Sequence, residues 1–236
     1  MSVSYGLIMK ALILAGGFGK RLMPLTIDQP KPLVEIGGKP ILVRQIEWLK
    51  SQGITDIVLA VGHLRTKVFE KLGDGSKYGV RLFYSVEEEP LGTEGAIKNA
   101  ARYIDTDLFV VTNGDIITDI DVNNLMRNMG NSLATIALVP MRSPYGIVEV
   151  DNEGYVRSFK EKPLLEYMIN AGVYVMKREV VSMMADRGDI EKGVFPKLAK
   201  EGRIRAVIYE NAFWRSIDTV KDVEEVSAML AAKQVN

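Results

Sequence analysis

Residues 9–34 read MKALILAGGFGKRLMPLTIDQPKPLV, and the rest of the chain is organised around them. Met9 to Ala15 is a mostly apolar run of strand length that breaks at once into Gly16-Gly17-Phe18-Gly19. Lys20 and Arg21 follow, then a proline-punctuated stretch in which Lys31 stands between Pro30 and Pro32. A buried strand feeding a glycine-rich turn leaves backbone N–H groups free and lets the chain approach a ligand closely. With Arg21 and Lys31 added, the stretch forms a cradle for a polyphosphate. Two other phosphate loops are excluded. The dinucleotide pattern G-x-G-x-x-G fails because Leu22 occupies the third glycine position. The Walker pattern fails because Gly19-Lys20 runs into Arg21 and Gly38-Lys39 into Pro40.

Outward from this stretch, strand-length apolar runs alternate with segments of helical period, which predicts an α/β sandwich with a mainly parallel sheet. Helices are expected at 41–52, where Leu42, Ile46 and Leu49 share one face and Gly53 ends the run, and at 64–72, about 94–102 and 219–232. Asp218 or Thr219 caps the last of these. Strands are expected at 56–61, 80–86 and 107–112, the last running into Asn113-Gly114-Asp115. Beyond residue 130, strands at 133–139, 146–150, 155–160 and 168–176, with little helix between them, predict antiparallel elements grafted onto the parallel half. Asp115 therefore falls at the carboxyl end of a buried strand, the edge of an open α/β sheet where ligands bind.

Composition narrows the chemistry. Thirty basic and thirty acidic residues cancel, so no global charge argues for nucleic acid or a membrane surface. Cysteine is absent, which excludes disulfides and thiolate metal sites and fits a reducing, cytoplasmic setting. One histidine, His63, rules out a zinc site built of several histidines. No apolar run is long enough to span a bilayer. Residues 1–8, MSVSYGLI, lack a basic n-region and a cleavage site, and read as a loose extension rather than a signal peptide. Residues 9–236 read as one compact domain.

The spacing G-G-F-G-x-R-L-x-P-L-T…P-K-P-L resembles the signature of the sugar-1-phosphate nucleotidylyltransferases, nearest to the mannose-1-phosphate guanylyltransferase and glucose-1-phosphate nucleotidylyltransferase branches. The resemblance covers essentially residues 9–230. It implies a Rossmann-like, glycosyltransferase-A-type three-layer sandwich with a mixed, mainly parallel central sheet. The chain ends before the hexapeptide β-helix that some relatives carry. The implied reaction joins a sugar-1-phosphate to the α-phosphorus of a nucleoside triphosphate and releases pyrophosphate. The nucleophile is already an anion, so fixed cations, Mg²⁺ and backbone donors are needed and a general base is not.

By the same resemblance, Arg21, Lys31 and Asp115 are the catalytic residues. Ala15, Gly16, Gly17, Gly19, Lys20 and Gly114 line the nucleotide, and Gly92 and Thr93, in the segment Glu87-Glu88-Glu89-Pro90-Leu91-Gly92-Thr93-Glu94-Gly95, meet the base. Asp115 and Asp218 hold the metal. Ser216 stands where many relatives carry the second metal aspartate, whereas Asp218-Thr219 matches the cytidylyl-type ending; a helix cap is the other role open to Asp218. Gly146, Glu161, Lys162, Asn170 and Gly172 match short motifs that grip the sugar phosphate. Glu94 reads as a glutamate in an exposed first helical turn, and His63 as a loop residue. Relatives of this kind are often dimers or tetramers, so a homo-oligomer is compatible with the resemblance. Two other functions remain open on the same fold: a non-catalytic nucleotide-sugar-binding subunit, and a glycosyltransferase. Asp105-Thr106-Asp107 has the letters of the latter's metal motif but precedes its strand.

Overall fold

The structure is a computed structural model and describes residues 9–233; the expected extension at 1–8 lies outside the described residues. Seven strands form the central sheet: β1 (Lys10–Leu14), β4 (Asp56–Val61), β5 (Arg81–Val86), β6 (Leu108–Asn113), β8 (Ala134–Arg142), β11 (Leu164–Lys177) and β12 (Ile204–Ile208). Their spatial order is β12-β8-β11-β6-β1-β4-β5. All pair in parallel except at β11, which runs antiparallel to both β6 and β8. The sheet is thus mixed and mainly parallel. Short strands β2 (Glu35–Ile36), β3 (Lys39–Pro40), β7 (Ile116–Thr118), β9 (Ile147–Val150), β10 (Val156–Lys160) and β13 (Trp214–Ser216) pair two by two outside it.

Helices α1 (Ile41–Ser51), α2 (Arg65–Leu72), α3 (Gly92–Ala100), α4 (Val122–Arg127), α5 (Val194–Lys200) and α6 (Val220–Lys233) complete the chain. Burial on both sheet faces explains the continuous apolar character of the strands. Along β1, Ala11 and Ile13 pack in one core with Leu42, Ile46 and Leu49 of α1, while Leu12 faces a second core with Ile97 of α3 and Leu198 of α5. Each such aliphatic side chain contributes about 1.5–3 kcal/mol on burial.

The expected elements appear within one or two residues of their bounds, except that β8 runs on to Arg142, three residues past its expected end, β11 starts earlier, at Leu164, and the helix expected at 94–102 starts at Gly92 and passes into a 3₁₀ turn at Ala101–Tyr103. The region beyond residue 130 is less purely β than expected, because α5 and the parallel strand β12 return the chain to the sheet. Helix α5 is only seven residues long and carries Pro196 in its first turn, so its helical period is too short to read.

A third, smaller core positions the site. Leu22, Val34, Ile36, Ile41, Ile117, Ile217 and Val226 pack together, so the phosphate-loop turn, the β6–β7 corner and the start of α6 share one support. The β7–β13 ladder pairs Ser216 with Ile116 and Trp214 with Thr118, and Ile217 N–H donates to the Asp115 carbonyl at 2.9 Å. Two aspartates far apart in the chain are thereby set side by side.

Candidate active site

A cavity of about 450 Å³ opens at the carboxyl ends of β1 and β6. Its walls include Ala15, Gly16, Gly17, Gly19, Lys20, Arg21, Lys31, Gly92, Thr93, Gly114, Asp115 and Asp218, so every residue expected at the nucleotide, the catalytic cations and the metal meets there. Leu14, Pro90, Leu91 and Ala96 give it an apolar wall, and Asn113 and Asp189 line it as well.

Local backbone geometry aims the cations. Gly19 adopts φ +63, the left-handed conformation glycine takes without penalty, and starts the 3₁₀ turn Lys20–Leu22. Thr26 Oγ1 donates to the Gly19 carbonyl at 2.9 Å, and Leu22 is fully buried, so the turn is pinned at both ends. Lys31 opens a second 3₁₀ turn after extended Pro30, with Pro32 buried behind it. At the β6 corner, a Cβ on Gly114 would stand 2.4 Å from the Leu14 carbonyl oxygen. Only glycine lets β6 pass that close to the phosphate loop, and Asp115 follows directly.

Lys31 Nζ donates to Asp115 Oδ2 at 2.7 Å and to Asp218 Oδ1 at 3.0 Å; Arg21 Nη2 donates to the same Asp218 oxygen at 2.7 Å. The Lys31 side chain is 14% exposed, whereas Arg21 is 74% exposed and reaches out over the mouth. Ser216 Oγ donates to Asp218 Oδ2 at 2.8 Å. Burial pushes the Asp218 carboxyl up, but the Ser216 hydroxyl and the Lys31 and Arg21 cations outweigh it and hold the group below the usual aspartate value. Asp218 therefore presents a carboxylate to the cavity.

The cap of α6 is supplied by other atoms. Asp222 Oδ2 accepts from the N–H groups of Asp218 and Thr219 and from Thr219 Oγ1, while Asp222 N–H reaches Thr219 Oγ1 at 3.3 Å. This is a capping box, Thr219-x-x-Asp222, with the acid one methylene shorter than the usual glutamate. Of the two cap candidates, Thr219 takes the position, and the Asp218 side chain faces the cavity. The T-x-x-D spacing was visible in the sequence and would have separated the two.

Two carboxylates flanking a position already taken by an ammonium suit a hard cation. Among the described residues no group of three or more His, Cys, Asp or Glu side chains could hold a metal without help. Asp115 and Asp218 supply two hard oxygen donors, which would suit an ion such as Mg²⁺ that takes few protein oxygens and completes its shell with water and phosphate.

The sugar-side residues lie outside the walls of this cavity, in two places. Asn170 Oδ1 accepts from Gly172 N–H, and Asn170 Nδ2 donates to the Tyr174 hydroxyl. Gly172 sits against the Asn113 amide, where a Cβ would come within 2.7 Å, which places this pair next to the cavity wall. Gly146 and Glu161 meet across the β9–β10 hairpin, where a Cβ on Gly146 would be 3.0 Å from Glu161 Oε2. Lys162 follows with φ +45, and its carbonyl accepts from Arg142 Nη1. Among the described residues its ammonium has no partner. Asp105 lies at the other end of the sheet, paired with Lys10.

Glu94 departs from the exposed first-turn reading: it is 2% exposed, and its Oε1 accepts from Ala185 N–H at 2.7 Å. Its carboxylate clamps the loop that carries Asp189. His63 packs on Phe18 with ring centroids 5.0 Å apart, beside a second cavity that shares Gly16, Phe18, Glu87 and Pro90 with the first. Asn113, Asp189 and Glu87 were not singled out as site residues; Asn113 and Glu87 stand in segments that were, beside Gly114-Asp115 and ahead of Gly92-Thr93, whereas nothing in the spacing marks Asp189.

A strand-end glycine loop, paired cations and paired aspartates on this sheet order define a nucleotide-handling α/β fold. Residues 10–233 match the Nucleotidyl transferase family model, and the chain belongs to that family. It is 39% identical over 229 residues to the mannose-1-phosphate guanyltransferase of Gibberella zeae and 40% identical over 226 residues to that of Yarrowia lipolytica. Each match covers 91% of this chain and 62% of the relative, so the chain spans under two thirds of those proteins' length. Among solved structures, HddC from Yersinia pseudotuberculosis superposes with a TM-score of 0.77 at 30% identity, covering 94% of this chain and 99% of HddC. HddC has also been solved complexed with GMP-PN. No helix among the described residues is long and apolar enough to cross a membrane.

Proposed function

We propose that the protein transfers a nucleotidyl group from a nucleoside triphosphate to a sugar-1-phosphate, releasing pyrophosphate. An oxygen of the sugar phosphate forms a bond to the α-phosphorus while the bond from that phosphorus to the bridging oxygen of pyrophosphate breaks, with both electrons leaving on pyrophosphate. No proton need be removed from the nucleophile. The observation that carries this reading is the meeting of Arg21, Lys31, Asp115 and Asp218 at one rim of the glycine-lined cavity.

Gly16, Gly17 and Gly19 offer backbone to the phosphates. Lys31 is fixed by two carboxylates before substrate arrives, so little reorganisation is needed as charge builds on the leaving group; a donor preorganised in this way is worth about 2.7–4 kcal/mol in the transition state. Arg21, more exposed, meets the outer phosphates. Asp115 and Asp218 would hold Mg²⁺, which when bound supplies charge neutralisation between the two polyanions. Lys162, whose ammonium has no partner among the described residues, serves the sugar phosphate as a point charge, and Glu161 and Asn170 suit hydroxyls. GTP and mannose-1-phosphate are the first pair to try, on the names of the relatives matched.

The test is pyrophosphate release across a matrix of nucleoside triphosphates and sugar-1-phosphates, with and without Mg²⁺. Release with one pair above the others supports the reading. Absence of release with every pair, while nucleotide-sugar binding persists, would replace it with a regulatory, non-catalytic role.

A further inference from the structure

Helix α1 carries an amide where its pattern calls for an apolar side chain. Leu42, Ile46 and Leu49 pack its inner face, yet Gln45, one turn from both Leu42 and Leu49, is just as buried, at 2% exposed. Its Nε2 donates to the Asn113 carbonyl at 2.7 Å and to the Ile116 carbonyl at 2.9 Å. Those two carbonyls bracket Gly114-Asp115, so one side chain grips both ends of the corner that carries the site aspartate. Thr112 Oγ1, 3.4 Å from the Asn113 carbonyl, is the other side-chain donor there. Gln45 Oε1 is buried with no donor among the described residues. A buried polar oxygen left unpaired is costly. Filling the core requires no amide at this position; the two carbonyls do.

The same edge of α1 continues its contacts away from the cavity. Trp48 Nε1 donates to the Ile120 carbonyl at 3.0 Å, and Gln52 Oε1 accepts from Val122 N–H at 3.3 Å. Residues 45, 48 and 52 fall at helical spacing and form one polar row against the chain from 113 to 122. The first turn of α1 reaches the other side of the site. Ile41 N–H donates to the Val34 carbonyl at 3.0 Å, and Val34 N–H to the Lys31 carbonyl at 3.1 Å. One helix thus holds the Lys31 turn at its start and the Asp115 corner a turn later, and Lys31 Nζ meets Asp115 Oδ2 at 2.7 Å.

We infer that Gln45 is a positioning residue of the reaction, setting the Asp115 carboxylate against Lys31 without touching substrate. This rests on the nucleotidyl-transfer reading and adds a residue to it. The corner has other supports: Gly114 N–H donates to the Leu14 carbonyl and Ile217 N–H to the Asp115 carbonyl, both at 2.9 Å. Those tie it to β1 and to the end of β13. Among the described residues, Gln45 supplies the hydrogen bonds from this corner to the helix that also holds the Lys31 turn. A reacting group misplaced by about 1 Å can lose about 10²-fold in rate.

The experiment is a double-mutant cycle with one accepted pair of substrates. Gln45→Met keeps the length of the side chain and loses both donors; it is combined with Asp115→Asn. Trp48→Phe, which removes the Ile120 contact from the same helix, is the control. Gln45→Met is expected to lower kcat by about 10- to 100-fold, with KM for the sugar phosphate near the parent's. On top of Asp115→Asn it is expected to add little, because it acts through that residue. Trp48→Phe is expected to lower Tm and leave kcat near the parent's. Losses that multiply in the Gln45→Met/Asp115→Asn double variant would overturn the inference, as would a Gln45→Met loss in kcat no larger than that of Trp48→Phe. Should Gln45→Met melt below the assay temperature, Gln45→Glu, which when protonated serves one carbonyl instead of two, enters the same cycle with the same criteria. Absence of turnover by the parent with every nucleotide would overturn the nucleotidyl-transfer reading instead. The cycle is then read in calorimetric binding of GTP with Mg²⁺, where additive losses overturn the positioning role and non-additive ones support it.

Discussion

The division of labour at the start of α6 is open to a double dissociation. Asp218→Asn keeps the shape and the acceptor oxygen of a residue whose carboxylate meets Lys31 at 3.0 Å, Arg21 at 2.7 Å and Ser216 at 2.8 Å, and removes only the charge. Asp222→Ala removes the acceptor of Asp218 N–H at 3.0 Å, Thr219 N–H at 2.7 Å and Thr219 Oγ1 at 2.9 Å, and leaves the cavity charges in place. Loss of a helix cap costs about 1 kcal/mol. In a chain of this size that lowers Tm by roughly 2–4 °C. Loss of one preorganised charge contact in the transition state costs about 10²–10³ in kcat. Asp218→Asn is therefore expected to depress pyrophosphate release by about 10²-fold or more, with Tm near the parent's. Asp222→Ala is expected to lower Tm while keeping most turnover. Parallel scanning calorimetry and single-turnover kinetics read the two quantities separately. If Asp218→Asn melts early and turns over normally, Asp218 is a structural residue and the charge argument for the site fails.

Gly19→Ala leaves every charge in place but adds a Cβ at φ +63 that would come 2.9 Å from Lys31 Cβ and 3.0 Å from Thr26 Cγ2. It is expected to lose about 1–2 kcal/mol of stability from the backbone alone. A drop in kcat with all substrates should accompany it, checked by urea titration and initial rates. Lys162→Ala should raise KM for the sugar phosphate while KM for the nucleotide stays put, since its ammonium has no partner elsewhere among the described residues; bisubstrate kinetics give both. Glu87 makes stability depend on pH with a definite sign. Its folded carboxyl is raised by burial, so the native state binds more protons than the unfolded chain, and stability falls as pH rises from the unfolded carboxylate value through the raised one. Glu87→Gln, free of that charge, should melt above the parent at neutral pH. The gap should close as pH drops below about 4, where glutamate is protonated in both states.

The sequence by itself determined the layers and one half of the site. Apolar runs of strand length between helical periods force a sheet covered on both faces, and the glycines, Arg21 and Lys31 are close enough in sequence that local turn geometry gathers them. Asp115 was legible too, since a residue just past a buried strand must lie at the sheet rim. Helix α5 was not legible, because seven residues carry too little period. The tertiary structure alone decided the rest. The spacing Thr219-x-x-Asp222 was enough to give the cap to Thr219, but that Asp218 stands beside Asp115 came from the β7–β13 ladder, which brings the Ile217 N–H onto the Asp115 carbonyl. Likewise Glu87, Glu88 and Glu89 are the same letter three times, and only packing leaves the first without a cation among the described residues. Pattern fixes where a chain enters the core, because burial follows from periodicity; which charges face one another depends on long-range register, and periodicity does not encode it.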